Sequence, residues 1–252
     1  MADPATTTTP AFYARRGGRG ADWWTLLHPP YTLWHLSYVV LGAALAESLD
    51  WTALAATLLA FFLAVGVAAH ALDELTGRPL GTRIPDGVLR VVATLATIGA
   101  CALGVAGTFF HGDPNWWLLA AIPVGAVLLV GYNLELFSGR LHTDAVFAWG
   151  WGGFPVAVGF VAQSPSVDWA RCAAAAIAVL AAVGASYAQR RLSTPARVLR
   201  RRTSEVSGTI WRPDGTIEEL DRAALLAPLE GALRALSWVV PACAVAALLV
   251  HV

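Results

Sequence analysis

Residues 51–80 read WTALAATLLAFFLAVGVAAHALDELTGRPL. An uncharged apolar run of about twenty residues leads to His70, long enough to cross a bilayer as a helix at about 1.5 Å per residue. It closes on His70, Asp73 and Glu74, which share one helix face at i, i+3 and i+4. Ionisable groups at the edge of hydrocarbon are costly, so such a cluster marks a functional site by default.

Composition extends that reading to the whole chain. With 57% hydrophobic and 13% charged residues over 252 positions, and with the apolar residues in blocks, the sequence is that of an all-α, multi-pass membrane protein. Seven spans are predicted, over residues 31–47, 51–71, 88–110, 116–137, 145–163, 169–187 and 233–250. Arg15, Arg16 and Arg19 precede the first span, Arg78, Arg83 and Arg90 follow the second, Arg140 follows the fourth, and a long run from Arg190 to Arg222 precedes the seventh. Only Arg171 falls on the other side. The positive-inside rule then makes the N-terminus cytoplasmic and places Val252 outside. The expected organisation is a disordered cytoplasmic tail (1–22), a six-span bundle (23–191), a cytoplasmic loop (192–232) and a last span (233–252). The expected location is the plasma membrane of a bacterium.

Within the loop, residues 208–217 read as a hairpin turning at Pro213, Asp214 and Gly215, and residues 221–234 as an amphipathic helix. Cys101, Cys172 and Cys243 lack metal-ligand spacing and read as packing residues. His28, His111 and His251 fall near interfaces and receive no assignment. All 17 basic residues are Arg. Without Lys there is no Schiff base, which excludes a retinal protein and a pyridoxal phosphate enzyme, and no Walker-type nucleotide site.

Two further polar groups are predicted on the cytoplasmic side. Tyr132, Asn133 and Glu135 close the fourth span, followed by Arg140, His142 and Asp144. Tyr187, Gln189, Arg190 and Arg191 close the sixth, running on to Arg197. Three even-numbered spans bringing polar ends to one side is the pattern of a shared pocket with a cytoplasmic mouth. His35 lies about one turn inside the first span. In the fifth, Trp149 to Pro155 combines glycines for close helix approach with a proline that should break the helix beside the pocket.

In this order the motifs resemble the UbiA superfamily of intramembrane prenyltransferases. Residues 70–80, with Arg78, Pro79 and Leu80, resemble its first acidic motif. Residues 132–155 resemble its fourth and fifth helices, and Tyr187 to Gln189 the approach to its second acidic motif. The chain departs from the family in having His70, Glu74 and Arg78 at the offsets of Asn, Asp and Asp, Arg190 and Arg191 in place of the second motif's acids, and seven spans instead of nine.

The resemblance implies a UbiA-like bundle acting on an isoprenoid or other membrane lipid, with prenyl transfer as the most specific activity and no role for nucleic acid. It implies Mg²⁺ as the divalent cation, held by acids against a diphosphate. Asp73, Glu74, Tyr132 and Glu135 are the expected catalytic residues. His35, Arg78, Asn133, Arg140, Tyr187, Arg190 and Arg191 are the expected substrate contacts. One alternative is a Zn²⁺ or iron site drawn from His70, Asp73, Glu74, Glu135, His142 and Asp144, with His35 nearby. Another is a lipid-binding or assembly protein without chemistry. A transporter is disfavoured, since no internal repeat is visible.

Overall fold

Short polar side chains start the long helices by accepting the unpaired N–H groups of the first turn. In the computed structural model, which describes residues 9–163 and 168–251, α1 is Gly18–Leu26 and α2 is Pro29–Ala43, opened by two prolines whose missing N–H groups are no loss there. Asp50 caps α3 (Trp51–Leu75), accepting from Thr52 N and Ala53 N at 2.8 and 2.9 Å. The helix α4 is Asp86–Thr108, and α5, Trp116–Asn133, is capped by Asn115. Thr143 caps α6 (Asp144–Ala162), Asp168 caps α7 (Trp169–Arg201), and Asp221 caps α8 (Arg222–Leu248). Between α7 and α8 a hairpin pairs β1, Gly208–Trp211, with β2, Ile217–Leu220, in antiparallel register.

Among the described residues six helices, α3 to α8, are long and apolar enough to cross a membrane. The helix α2 falls short with 15 residues, yet it runs between the same two ends of the bundle. At one end His28 stacks on His70. At the other, Ala44 O accepts from His251 Nε2 at 2.8 Å, and Leu45 O and Ala46 O accept from Arg171. That second end is closed by Asp50 N donating to Gln163 Oε1 and by Asn115 Nδ2 donating to Val161 O. The first predicted span therefore holds its helix only to Ala43.

Lipid is as apolar as leucine, so burial alone does not drive helices together in a bilayer, and close packing must do so. The helix α2 is wedged centrally, with Trp34, Tyr38, Val39 and Ala43 buried. Its Gly42 lies against the Val156 carbonyl of α6, and Gly159 of α6 lies against the Val39 carbonyl, approaches that leave no room for a Cβ. Trp34 Nε1 donates to Tyr38 OH, which also receives Ser186 Oγ–H from α7. The outward faces of α4, α5, α7 and α8 expose Val91, Leu95, Val127, Ile177 and Trp238, as lipid-facing surfaces do.

The expected break in the fifth span takes the form of a π-helical stretch, Ala148–Gly153. Pro155 has no N–H, which frees the Trp151 carbonyl four residues back. His35 Nδ1–H donates to it at 2.8 Å. The helix α3 carries a second π stretch, Phe62–Ala69.

Three regions differ from the sequence reading. Of the tail expected over 1–22, residues 1–8 lie outside the described residues, while Thr9 onward packs as a strap over one end of the bundle: Tyr13 O accepts from Trp24 Nε1, and Arg15 N donates to Thr25 Oγ1. Its aromatic residues supply contacts that a polar tail would lack. The helix α7 runs past the expected boundary at Tyr187 to Arg201, through Pro195. The predicted amphipathic helix and last span are one helix, α8, which contains Pro228 and Pro241 without ending.

Candidate functional site at the polar end of the bundle

The last turns of α7 build one wall of the site. Helical spacing puts Arg190, Arg197 and Arg201 near one line, at i, i+7 and i+11, and turns Arg191 about 100° away. Arg190 Nε donates to Asp144 Oδ1 at 2.9 Å, its Nη2 lies 3.4 Å from His142 Nε2, and its guanidinium stands over Phe147. Arg201 Nε donates to Pro10 O at 3.0 Å. Arg200 pairs with Glu230 of α8 and donates from Nη1 to Thr9 O. Arg197 lies between, half-buried, interacting electrostatically with Arg190, Arg201, Tyr132 and Asp73.

Across from α7, Tyr132 of α5 stacks on His142 at 4.4 Å and packs against Trp151 at 4.6 Å. Its hydroxyl is buried without a hydrogen-bond partner. His142 Nδ1–H donates to Tyr132 O at 3.1 Å, which leaves Nε2 as the acceptor for Arg190. From α3, His70 Nδ1–H donates to Gly66 O at 3.0 Å, and Asp73 lies within the fields of Arg197, Arg201 and His142.

The strap and the start of α2 cover the cluster. Phe12 and Tyr13 pack edge-on against Tyr31, and Tyr13 lies on His28. Burial pushes the Tyr13 hydroxyl well above its ordinary value; the nearby Tyr31 adds to the rise, against Arg201 and Arg197. Burial holds the His28 ring well below its ordinary value, helped by His70, Arg201 and Arg197.

The structure thus gathers His70, Asp73, Tyr132, His142, Asp144 and Arg190, and sends the other expected residues elsewhere. Glu74 is fully buried and holds the loop after α3: its carboxylate accepts from Leu80 N, Thr82 N and Thr82 Oγ1 at 2.8–2.9 Å. Arg78 staples the same loop through Thr82 O, Ile84 O and Asp86. His35 is engaged with Trp151 O, and Asn133 Nδ2 donates to Leu129 O within its own helix. Glu135 is exposed on a left-handed backbone, with its carboxylate 3.9 Å from His142 Nδ1. Arg140, Tyr187 and Arg191 are exposed.

The sequence reading left out Tyr13, His28, Tyr31 and Arg201. The Arg201 signal was available as helical phase with Arg190 and Arg197, provided α7 continued past Tyr187. The other three come from the strap and α2, whose approach no local pattern encodes.

These placements bear on the expected cation. Mg²⁺ takes several oxygen ligands in one shell, and Zn²⁺ or iron sites draw three or more imidazole and carboxylate ligands together. Glu74 is bound by its loop, Asp144 by Arg190, Glu135 lies at the surface, and Asp73 faces guanidinium groups. Among the described residues no three His, Cys, Asp or Glu side chains converge to hold a metal ion.

A second feature adjoins the cluster. Between α3, α4, α5 and α6 lies an apolar cavity of about 200 Å³, lined by Ala56, Ala60, Leu103, Ile122, Phe154 and, at its inner end, Trp151. Trp151 is also the residue on which Tyr132 packs. Compared with protein-family models, with curated proteins and with solved structures, the chain matches none.

Proposed function

We propose that this is a multi-pass membrane protein acting on an isoprenoid or other lipid-like molecule, with the polar head at the α3–α5–α7 cluster and the chain in the apolar cavity. The shared wall carries the reading: Trp151 lines the cavity on one side and supports Tyr132 on the other. A UbiA-like bundle with its polar end toward the cytoplasm is the fold reading that accompanies it, and prenyl transfer is its most specific form. In that form the chain's own residues hold and orient the substrate. Asp73, which has no ion pair among the described residues, would accept a proton from an acceptor hydroxyl.

Lipid binding without chemistry is the second reading, favoured by one observation: Glu74 and Asp144, expected to act, are engaged in structural contacts. Extraction of the purified protein followed by mass spectrometry tests both. A co-purifying isoprenoid or lipid is expected. A Cβ on Gly150 meets Leu128 only at ordinary contact distance, beside the cavity, so Gly150→Leu should fill the space and deplete that lipid in a folded protein. Undiminished lipid in the variant would count against the cavity assignment. Incubation with an isoprenoid diphosphate and membrane lipid acceptors separates the two readings by whether a prenylated product forms.

A further inference from the structure

We infer that the polar cluster recognises a phosphate-type head group directly, through Arg197 with Arg190, Arg201 and the Tyr132 hydroxyl, without a divalent cation. The inference rests on the lipid-handling function proposed above and specifies its head group.

Arg197 carries the argument. Among the described residues its one side-chain hydrogen bond runs from Nη2 to Thr194 Oγ1 on its own helix, at 3.2 Å, and it has no ion pair. Its strongest electrostatic neighbours are two more guanidinium groups, Arg190 and Arg201. A half-desolvated cation beside two like charges is unfavourable unless an anion compensates it. Arg200, by contrast, is neutralised by Glu230.

The remaining groups define the anion. Arg190 and Arg201 make their contacts through Asp144, His142 and Pro10 O, and Asp73 is the other acid of the cluster. Three Arg against Asp73 and Asp144 leave positive charge in excess, which calls for an anionic ligand. Tyr132 adds a buried hydroxyl with no protein partner and interacts with Arg190, Arg197 and Asp73. Donors carried on two helices, α5 and α7, suit an oxyanion that offers several acceptor oxygens, and guanidinium forks pair well with phosphate oxygens.

The test measures binding of farnesyl phosphate, farnesol and inorganic phosphate to the full-length protein in a neutral detergent, each with and without excess EDTA. Farnesyl phosphate is expected to bind at least tenfold more tightly than farnesol, unchanged by EDTA. Arg197→Gln should erase that margin and leave farnesol binding intact, while Arg191→Gln keeps it. Tyr132→Phe removes a hydroxyl that holds nothing in the fold, so it guards against misfolding of the Arg197 variant; it should weaken farnesyl phosphate several-fold and farnesol not at all. A margin that survives in both Arg197→Gln and Tyr132→Phe, or disappears in EDTA, overturns the inference. Equal binding of farnesol and farnesyl phosphate also overturns it but leaves the lipid function standing. Inorganic phosphate binding as tightly as farnesyl phosphate, with loss in Arg197→Gln, supports the anion site and removes the lipid function. No binding by any of the three removes both.

Discussion

The imidazole rings of His28 and His70 stack at 4.1 Å between centroids with 25° between their planes, fastening the turn between α1 and α2 onto the end of α3. His28 has a left-handed backbone, φ 47°, and its Nε2 is buried with no hydrogen-bond partner. The ring faces Tyr13 and Tyr31 as well as His70, with Arg197, Arg201 and His35 in electrostatic range.

That setting predicts acid sensitivity. Unfolded, the ring titrates near 6.5; folded, burial holds its value well below that. Between the two values the unfolded chain binds more protons, so the stabilisation present above pH 6.5 is lost as pH falls toward the folded-state value. The melting temperature in detergent should therefore drop from pH 7 to pH 5. His28→Asn tolerates the left-handed backbone and should flatten the slope. An equal slope in the variant would assign the sensitivity to other groups.

Glu74 and Asp73 are adjacent in sequence and opposite in role. Glu74→Ala would leave Leu80 N, Thr82 N and Thr82 Oγ1 without their acceptor in a buried site, a loss on the order of 3 kcal/mol or more. Asp73→Asn removes neither an ion pair nor a hydrogen bond among the described residues and keeps the side chain's shape, so it should cost clearly less stability than Glu74→Ala. Thermal unfolding of both variants in one detergent checks this, and equal melting temperatures would contradict the loop-holding role.

The helices were legible because bilayer thickness imposes long apolar runs, and the caps Asp50, Asn115, Thr143, Asp168 and Asp221 stand in the sequence where the helices begin. The hairpin turn at Pro213, Asp214 and Gly215 was legible for a similar reason, because it is set by local backbone chemistry. The assignments that moved concern direction. Residues 70, 73 and 74 do share a helix face, but the loop folds back over Glu74 alone, and that return depends on Thr82 and Arg78 several residues later. Arg190 and Arg191 read as a pair along the chain, whereas the step of about 100° between successive helical residues sends them to different faces. The strap was unreadable because Phe12 and Tyr13 find their partners on α2, an encounter set by tertiary packing.

The crossing of α2 and α6 should be intolerant of a single methyl group. Gly42→Ala and Gly159→Ala would each drive a Cβ into a backbone carbonyl of the facing helix, at Val156 and Val39. Neither carbonyl can rotate aside as a flexible side chain would. Overpacking of this kind costs about 1–3 kcal/mol, and separating α2 from α6 would also strain the bond from His35 to Trp151 O. Gly184→Ala, inside α7 where no atom stands within 4 Å of the added Cβ, is the control and should melt no lower than the parent. A Gly42→Ala protein of unchanged melting temperature would show that the two helices pack less closely than described.

Arg190 and Arg191 give the last contrast. The Arg190 side chain is 13% exposed and joins Asp144 at the start of α6 to α7, so the pair ties together two helices that form the site. A double-mutant cycle on Arg190→Ala and Asp144→Ala should show a coupling of about 1 kcal/mol, above what freely solvated pairs give because the guanidinium is largely shielded. Arg191→Ala should stay within about 0.5 kcal/mol of the parent, since its side chain is exposed and has no ion pair among the described residues. Loss of Arg190 should also loosen His142, whose Nε2 it contacts, and expose Tyr132, which can be followed by nitration of that residue read by peptide mass spectrometry. Zero coupling with unchanged Tyr132 nitration would place Arg190 with Arg191 among residues that serve only the charge asymmetry across the membrane.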